Sequence, residues 1–135
     1  MSDIQSYARQ IFASQPFSSF IGAELTGSTR DSAELTLPVA DHLKQQHGFV
    51  HGGVISYLVD NTITFAGGLA LNGNALTAEF KINYLRPAIG NTLVARAKAR
   101  SVGKRQAVCQ CEVYVVTDGE EKLCALAQGT VVSSP

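Results

Sequence analysis

The chain has 135 residues, 45% of them hydrophobic and 16% charged, enough for the core of one domain spanning 1–135 and too few for a second. Eleven basic residues balance eleven acidic ones and neither sign gathers into a run, which argues against nucleic acid or an anionic membrane as a partner. The N-terminal MSDIQSYARQIF lacks a basic start followed by an apolar stretch, and no run reaches ~18 apolar residues, so neither a signal peptide nor a membrane span is expected and the default address is cytoplasmic.

Residues Asp3 to Ser14 place Ile4, Tyr7, Ala8, Ile11 and Phe12 at helical spacing. This predicts a short amphipathic helix in a segment 1–16, with Ser2 as its N-cap and Pro16 ending it. IGAELTGST and DSAELTLPV then alternate apolar and polar residues around Thr29-Arg30-Asp31, the pattern of an antiparallel hairpin whose second strand ends at Pro38, at an edge or outside the ladder. From Val54 to about Leu71 apolar residues lie on more than one side of a helical run too long for one strand. Its Val, Ile, Thr and Gly content is poor for an isolated helix, so packing must hold it.

Four strand-like runs follow, ALTAEFKINYLRP, NTLVARAKARSV, RQAVCQCEVYVVTD and KLCALAQGTVVSS, divided by Gly90-Asn91, Gly103-Lys104 and Asp118-Gly119. Helix, two strands, long helix and four strands make an α+β layout, a helix wrapped by a mostly antiparallel six-stranded sheet. Three cysteines without an export signal argue against a disulfide framework. Cys109 and Cys111 alternate with Gln110 and share a strand face with Ala107, Val113 and Val115, so they read as core.

The long helix carries one carboxylate, Asp60, on a polar stripe with Ser56 and Thr64. That stripe is a solvated face, the wall of a cleft, or, with Asn61, a subunit contact. The helix start favours a cleft. His51-Gly52-Gly53 offers no side-chain oxygen as a cap, and glycine admits a ligand close to the first backbone N–H groups, the place where a developing oxyanion is stabilised. The spacing of His42, His47 and His51 lacks a clear carboxylate partner, so a metal site is not expected.

The run from Gly48 through His51-Gly52-Gly53 to Asp60-Asn61, followed by the strand from Thr77 to Arg86-Pro87, resembles the hotdog-fold acyl-CoA thioesterases of the phenylacetic-acid-degradation (PaaI-like) type, from about Phe17 to the C-terminus. The resemblance implies hydrolysis of an aryl- or short/medium-chain acyl-CoA, with no cofactor beyond the coenzyme A of the substrate. The Gly52 N–H polarises the thioester carbonyl, and Asp60 acts as general base or nucleophile. Family members often have an asparagine where this chain has Gln45, followed by Gln46, and a hydroxyl residue where it has Thr77; these imply a substrate amide and a water-orienting hydroxyl. Gln46, His51, Gly53 and Asn61 are further candidates around the substrate, His51 chiefly as a brace for its loop, while Arg86, Lys104 and Arg105 are candidates for the phosphates of coenzyme A.

Eight residues of helix separate Gly52 from Asp60, or ~12 Å of rise, whereas the groups acting on one thioester must lie within ~3 Å of the atoms they serve. Two antiparallel copies of the helix about a two-fold axis solve this, so a homodimer is expected, paired again into a tetramer by the resemblance. Tyr57, Phe65, Phe80 and Tyr84 are candidates for an acyl tunnel. Two other classes stay open at this level, a hotdog hydratase or dehydratase and a non-catalytic acyl-CoA-binding protein.

Overall fold

The structure is a computed structural model that describes residues 3–135, so the expected cap at Ser2 lies outside the described residues. In chain order it has α1 (Asp3–Ala13), α2 (Pro16–Ile21), β1 (Glu24–Ser28), β2 (Ser32–Pro38), a 3-10 turn (Asp41–Leu43), α3 (Gly52–Leu71), β3 (Ala75–Tyr84), β4 (Thr92–Val102), β5 (Gln106–Thr117) and β6 (Glu120–Ser133). The strands form one sheet in the order β1-β2-β4-β5-β6-β3. Every pairing is antiparallel. After β2 the chain crosses the sheet as α3 and adds β3 at the far edge, which is the expected hotdog arrangement.

Pro16 does not simply end α1. It is the first residue of α2, after Gln15 in extended conformation, a position where a missing N–H costs nothing and a fixed φ favours the helical turn. Gly22, at φ 88°, closes α2 by donating its N–H to Ser18 and Ser19 carbonyls, so β1 begins at Glu24. Pro38 pairs with Thr92 of β4, and the β1 ladder has already stopped at Thr36. Proline therefore ends an interior strand at a point where that strand has a neighbour on one side only.

The core lies between α3 and one face of the sheet. Leu58, Val59 and Ile63 of α3 meet Leu35, Leu37, Leu93, Val113 and Val131 of the strands, all fully buried; each such side chain contributes roughly 1.5–3 kcal/mol. By length and composition α3 could cross a bilayer. In this fold it is the core helix, and Ser56, Asp60 and Asn61 interrupt its apolar run. Ala107, Cys109, Cys111, Val113 and Val115 are all buried, as their alternation predicts. Burial pushes the thiols of Cys109 and Cys124 up to about 11 and that of Cys111 up to about 12, far from the thiolate a nucleophile requires.

Close approach of helix and sheet depends on Gly67. A Cβ there would stand 2.8 Å from Val131 Cβ and 3.0 Å from both its methyl groups. Alanine raises helix propensity by ~1 kcal/mol, but a branched strand side chain under a packed helix has nowhere to move. Gly67→Ala is therefore expected to lose about 1–3 kcal/mol net, read as a lower denaturation midpoint.

Candidate active site

The approach to α3 is a tight loop. Lys44 and Val50 form an isolated antiparallel bridge, and Gly48, at φ 86°, turns the chain between them. The Val50 N–H reaches the Ala88 carbonyl at 3.1 Å and the His51 N–H the Leu43 carbonyl at 2.9 Å. Inside this loop the Gln45 side-chain oxygen accepts from the His47 N–H, which leaves its amide protons as the group it can offer elsewhere.

The helix begins at Gly52, two residues earlier than its periodicity indicates, and it is capped. His51 is the N-cap, and its Nδ1 accepts the Gly53 N–H at 2.8 Å. A ring nitrogen thus does the work of the missing side-chain oxygen, and the acceptor role leaves any proton of the neutral ring on Nε2. The two glycines have different duties. A Cβ at position 53 would stand 2.9 Å from the His51 Nδ1, so Gly53 makes room for the cap. Gly52 lies under Tyr84, whose ring a Cβ would meet at 3.6 Å and whose hydroxyl donates to the Gly52 carbonyl at 3.2 Å. The Gly52 N–H belongs to the first turn and has no acceptor within the helix.

Gln45, Gly52, Ile55, Tyr84 and Arg86 line one cleft of about 380 Å³. Gln46, exposed, is absent from that lining, so the loop turns Gln45 and not its neighbour toward the helix start. Lys104 and Arg105 lie elsewhere. The Arg105 carbonyl accepts from Ser133 at 2.7 Å, and Ser133 pairs with Ala75, so the β4–β5 turn sits by the first residue of β3 while Arg86 follows the last.

Asp60 is exposed in the single chain and lines a second cleft, about 370 Å³, with Gln15, Phe17, Tyr57 and Asn61. The two clefts share no residue. A carboxylate on this face of α3 faces solvent, so the helix carries it without the penalty its apolar neighbours suggest. Asn61 points away into a polar knot, donating to Gln15 Oε1 at 2.9 Å, Tyr57 Oη at 3.2 Å and Ser18 Oγ at 3.3 Å. Ser18 and Tyr57 are 2.6 Å apart, and burial raises the Tyr57 phenol above its ordinary range despite these hydrogen bonds. The knot straps α2 to α3 beside Asp60.

Thr77 reaches the same turn from the sheet. Thr64 Oγ1 donates to the Asp60 carbonyl at 2.7 Å and contacts Thr77 Oγ1. Because the Thr64 proton is committed, Thr77 donates to Thr64 and keeps its lone pairs for a further donor such as water. From the sequence Thr64 is legible only as part of the polar stripe with Asp60, one helical turn before it, and Tyr57 only as an acyl-tunnel candidate; Gln15 and Ser18 carry no signal for this site.

Residues 47–122 match the model of the Thioesterase superfamily. A thioesterase family protein from Silicibacter pomeroyi has a solved structure that superposes with a TM-score of 0.90 at 32% identity, over 96% of each chain. A mutant of the phenylacetic acid degradation protein PaaI from Thermus thermophilus superposes with a TM-score of 0.78 at 28% identity, over 89% of this chain and 100% of that one. The 1,4-dihydroxy-2-naphthoyl-CoA hydrolase of Escherichia coli is 29% identical over 102 residues, 74% of this chain and 73% of the relative. The chain belongs to the thioesterase superfamily. It is a thioester hydrolase of the PaaI-like hotdog type, and its reaction is the hydrolysis of CoA thioesters.

The cap predicts an order of stability. His51→Ala removes the acceptor for the Gly53 N–H and is expected to cost about 0.5–2 kcal/mol, whereas His51→Asn keeps a capping group and should stay near wild type. Denaturant titration of both variants makes the comparison.

Proposed function

We propose that the protein hydrolyses an aryl- or short/medium-chain acyl-CoA at two equivalent sites of a homodimer, each built from Gly52 of one protomer and Asp60 of the other. No metal or cofactor is required beyond the coenzyme A of the substrate. One observation carries this reading. Gly52 is packed under Tyr84 at one end of β3, while the Asp60 turn is tied through Thr64 to Thr77 toward the other end of the same strand.

β3 is an edge strand, and Leu76 and Tyr84 are exposed on it. Antiparallel pairing of two such edges about a two-fold axis, in a register that sets Tyr84 opposite the partner's Thr77, carries Gly52 to the partner's Asp60 turn. The same register sets Arg86 opposite the partner's Ala75, beside its Lys104 and Arg105. Arg86 and the Lys104–Arg105 pair, far apart in one chain, then gather at one mouth, where the phosphates of coenzyme A need them. Two such dimers can pair again into a tetramer.

In this site the thioester carbonyl accepts hydrogen bonds from the Gly52 N–H and the Gln45 amide, at the positive end of the α3 dipole. A water donates one proton to Thr77 Oγ1 and gives the other to Asp60 as it attacks the carbonyl carbon. Collapse of the tetrahedral intermediate expels the thiolate of coenzyme A, which recovers the proton from Asp60, leaving the free acid. His51 and Gly53 hold the loop that presents the carbonyl donors. Asn61 keeps α2 against the cleft. The relative from Escherichia coli is named for a bicyclic aryl-CoA, which supports an aryl substrate within this range.

Asp60→Asn is expected to lower kcat by ~10²-fold or more. Gly52→Pro should also be inactive, and its fold should survive. Proline suits the first helical position, and His51, at φ −59° and ψ 135°, already has the conformation a residue before proline prefers. Mixing the two inactive variants after dissociation tests the shared site. Hybrid dimers contain one intact pair of groups, so activity should return to about a quarter of wild type. No recovery from a hybrid shown to form overturns the shared site, and full activity of Asp60→Asn removes Asp60 from the chemistry.

A further inference from the structure

We propose that α1 is the specificity element of this hydrolase, forming one wall of the acyl pocket and admitting acyl groups with the bulk of two fused rings; this rests on the proposed role of Asp60. The residues offered from the sequence as an acyl tunnel do not come together. Tyr84 covers Gly52, Tyr57 belongs to the α2 knot, and Phe80 packs against the core of the sheet.

Phe65 alone of that set lines an apolar groove of about 310 Å³, whose other apolar walls include Tyr7, Ala8 and Ile11 of α1, Leu69 of α3 and Ala75 of β3. Phe12, on the same helix, holds the Phe65 ring at a centroid distance of 5.7 Å. Position and chemistry connect this groove to the reaction. Thr64, which bonds the Asp60 carbonyl and touches Thr77, stands in its wall. Gln15 lines both this groove and the cleft that holds Asp60. A thioester held at Asp60 therefore has an apolar recess next to it for the part of the substrate that carries no charge.

Its size sets the occupant. An apolar cavity of ~150 Å³ takes a single benzene, so a recess of about 310 Å³ fits a bicyclic aryl group or an aliphatic acyl group of equal volume. A single ring fills only part of this volume and leaves contact with the α1 wall, Tyr7 and Ile11, incomplete. Tyr7 is 48% exposed in the chain, so truncating it removes pocket wall and leaves the core intact.

The test is kcat/KM for 2-naphthoyl-CoA and benzoyl-CoA, with hexanoyl- and dodecanoyl-CoA as the aliphatic arm. The wild type is expected to favour naphthoyl over benzoyl. Tyr7→Ala and Ile11→Ala should each lower that ratio by roughly 10-fold or more, Tyr7→Ala with the thermal midpoint unchanged, a shift in selectivity that a merely structural residue does not cause. A wild-type preference for benzoyl, or a ratio unmoved in both variants, overturns the proposal. Asp60→Asn in the same assay separates the two readings. Loss of turnover there with an unmoved naphthoyl ratio in the wall variants defeats the pocket alone. An active Asp60→Asn enzyme with a shifted ratio in the wall variants defeats the catalytic assignment alone.

Discussion

A stiff spacing governs this molecule. Gly52 and Asp60 sit on one helix, ~12 Å apart along its axis, and α3 cannot bend to bring them together because Leu58, Val59 and Ile63 are fully buried against the sheet. Gly67 lets the rod lie flush on Val131. The same packing that makes the core therefore separates the donor from the carboxylate. Each group is instead fastened to a different part of β3, Gly52 under Tyr84 and the Asp60 turn through Thr64 to Thr77. In the proposed site, helix and edge strand act as a single part with two working ends.

Those ends are prepared in different ways. At the start of α3 the backbone is the proposed reagent, and the surrounding residues keep it presentable: His51 takes the Gly53 N–H, Gly53 leaves space for the ring, and Tyr84 accounts for the Gly52 carbonyl. At Asp60 side chains matter, and their hydrogen bonds run in a fixed sense, from Thr77 to Thr64 to the Asp60 carbonyl. Charged pairs elsewhere are of a more ordinary kind. Arg96 bridges Glu34 and Glu121 on the solvent face of the sheet, where exposure limits what such contacts contribute.

Much of this was legible in the chain because period and position carry physical information. Alternation in AVCQCEVYVV marks the buried face of β5, and the apolar run after Gly53 marks a helix too well buried to be a surface element. The HGG motif and the aspartate eight residues after its first glycine locate both ends of the proposed site. What stayed hidden depends on three-dimensional neighbours. Pro16 stops one helix or starts another by the same chemistry, and only the fold decides. The cap at His51 uses a ring nitrogen, outside the usual set of oxygen caps. Tyr7 and Ile11 carry no signal beyond an amphipathic face, since the groove they line exists only once α1 lies across the C-terminal half of α3.

The free margin of β3 has a consequence for the chain in the cell and in the test tube. Ten residues of strand, Ala75–Tyr84, end the sheet, and a bare strand margin recruits whatever extended backbone it meets. Lys81, Glu79 and Asn83 give it some polar protection, but Leu76 beside them is largely exposed. If the proposed dimer is the working form, a newly made chain is thus in a race between finding its proper mate and sticking to a stranger. Synthesis rate, dilution and chaperone supply then weigh on the yield of usable enzyme, and substitutions far from any substrate, on that margin, carry a risk of precipitation out of proportion to their effect on the fold.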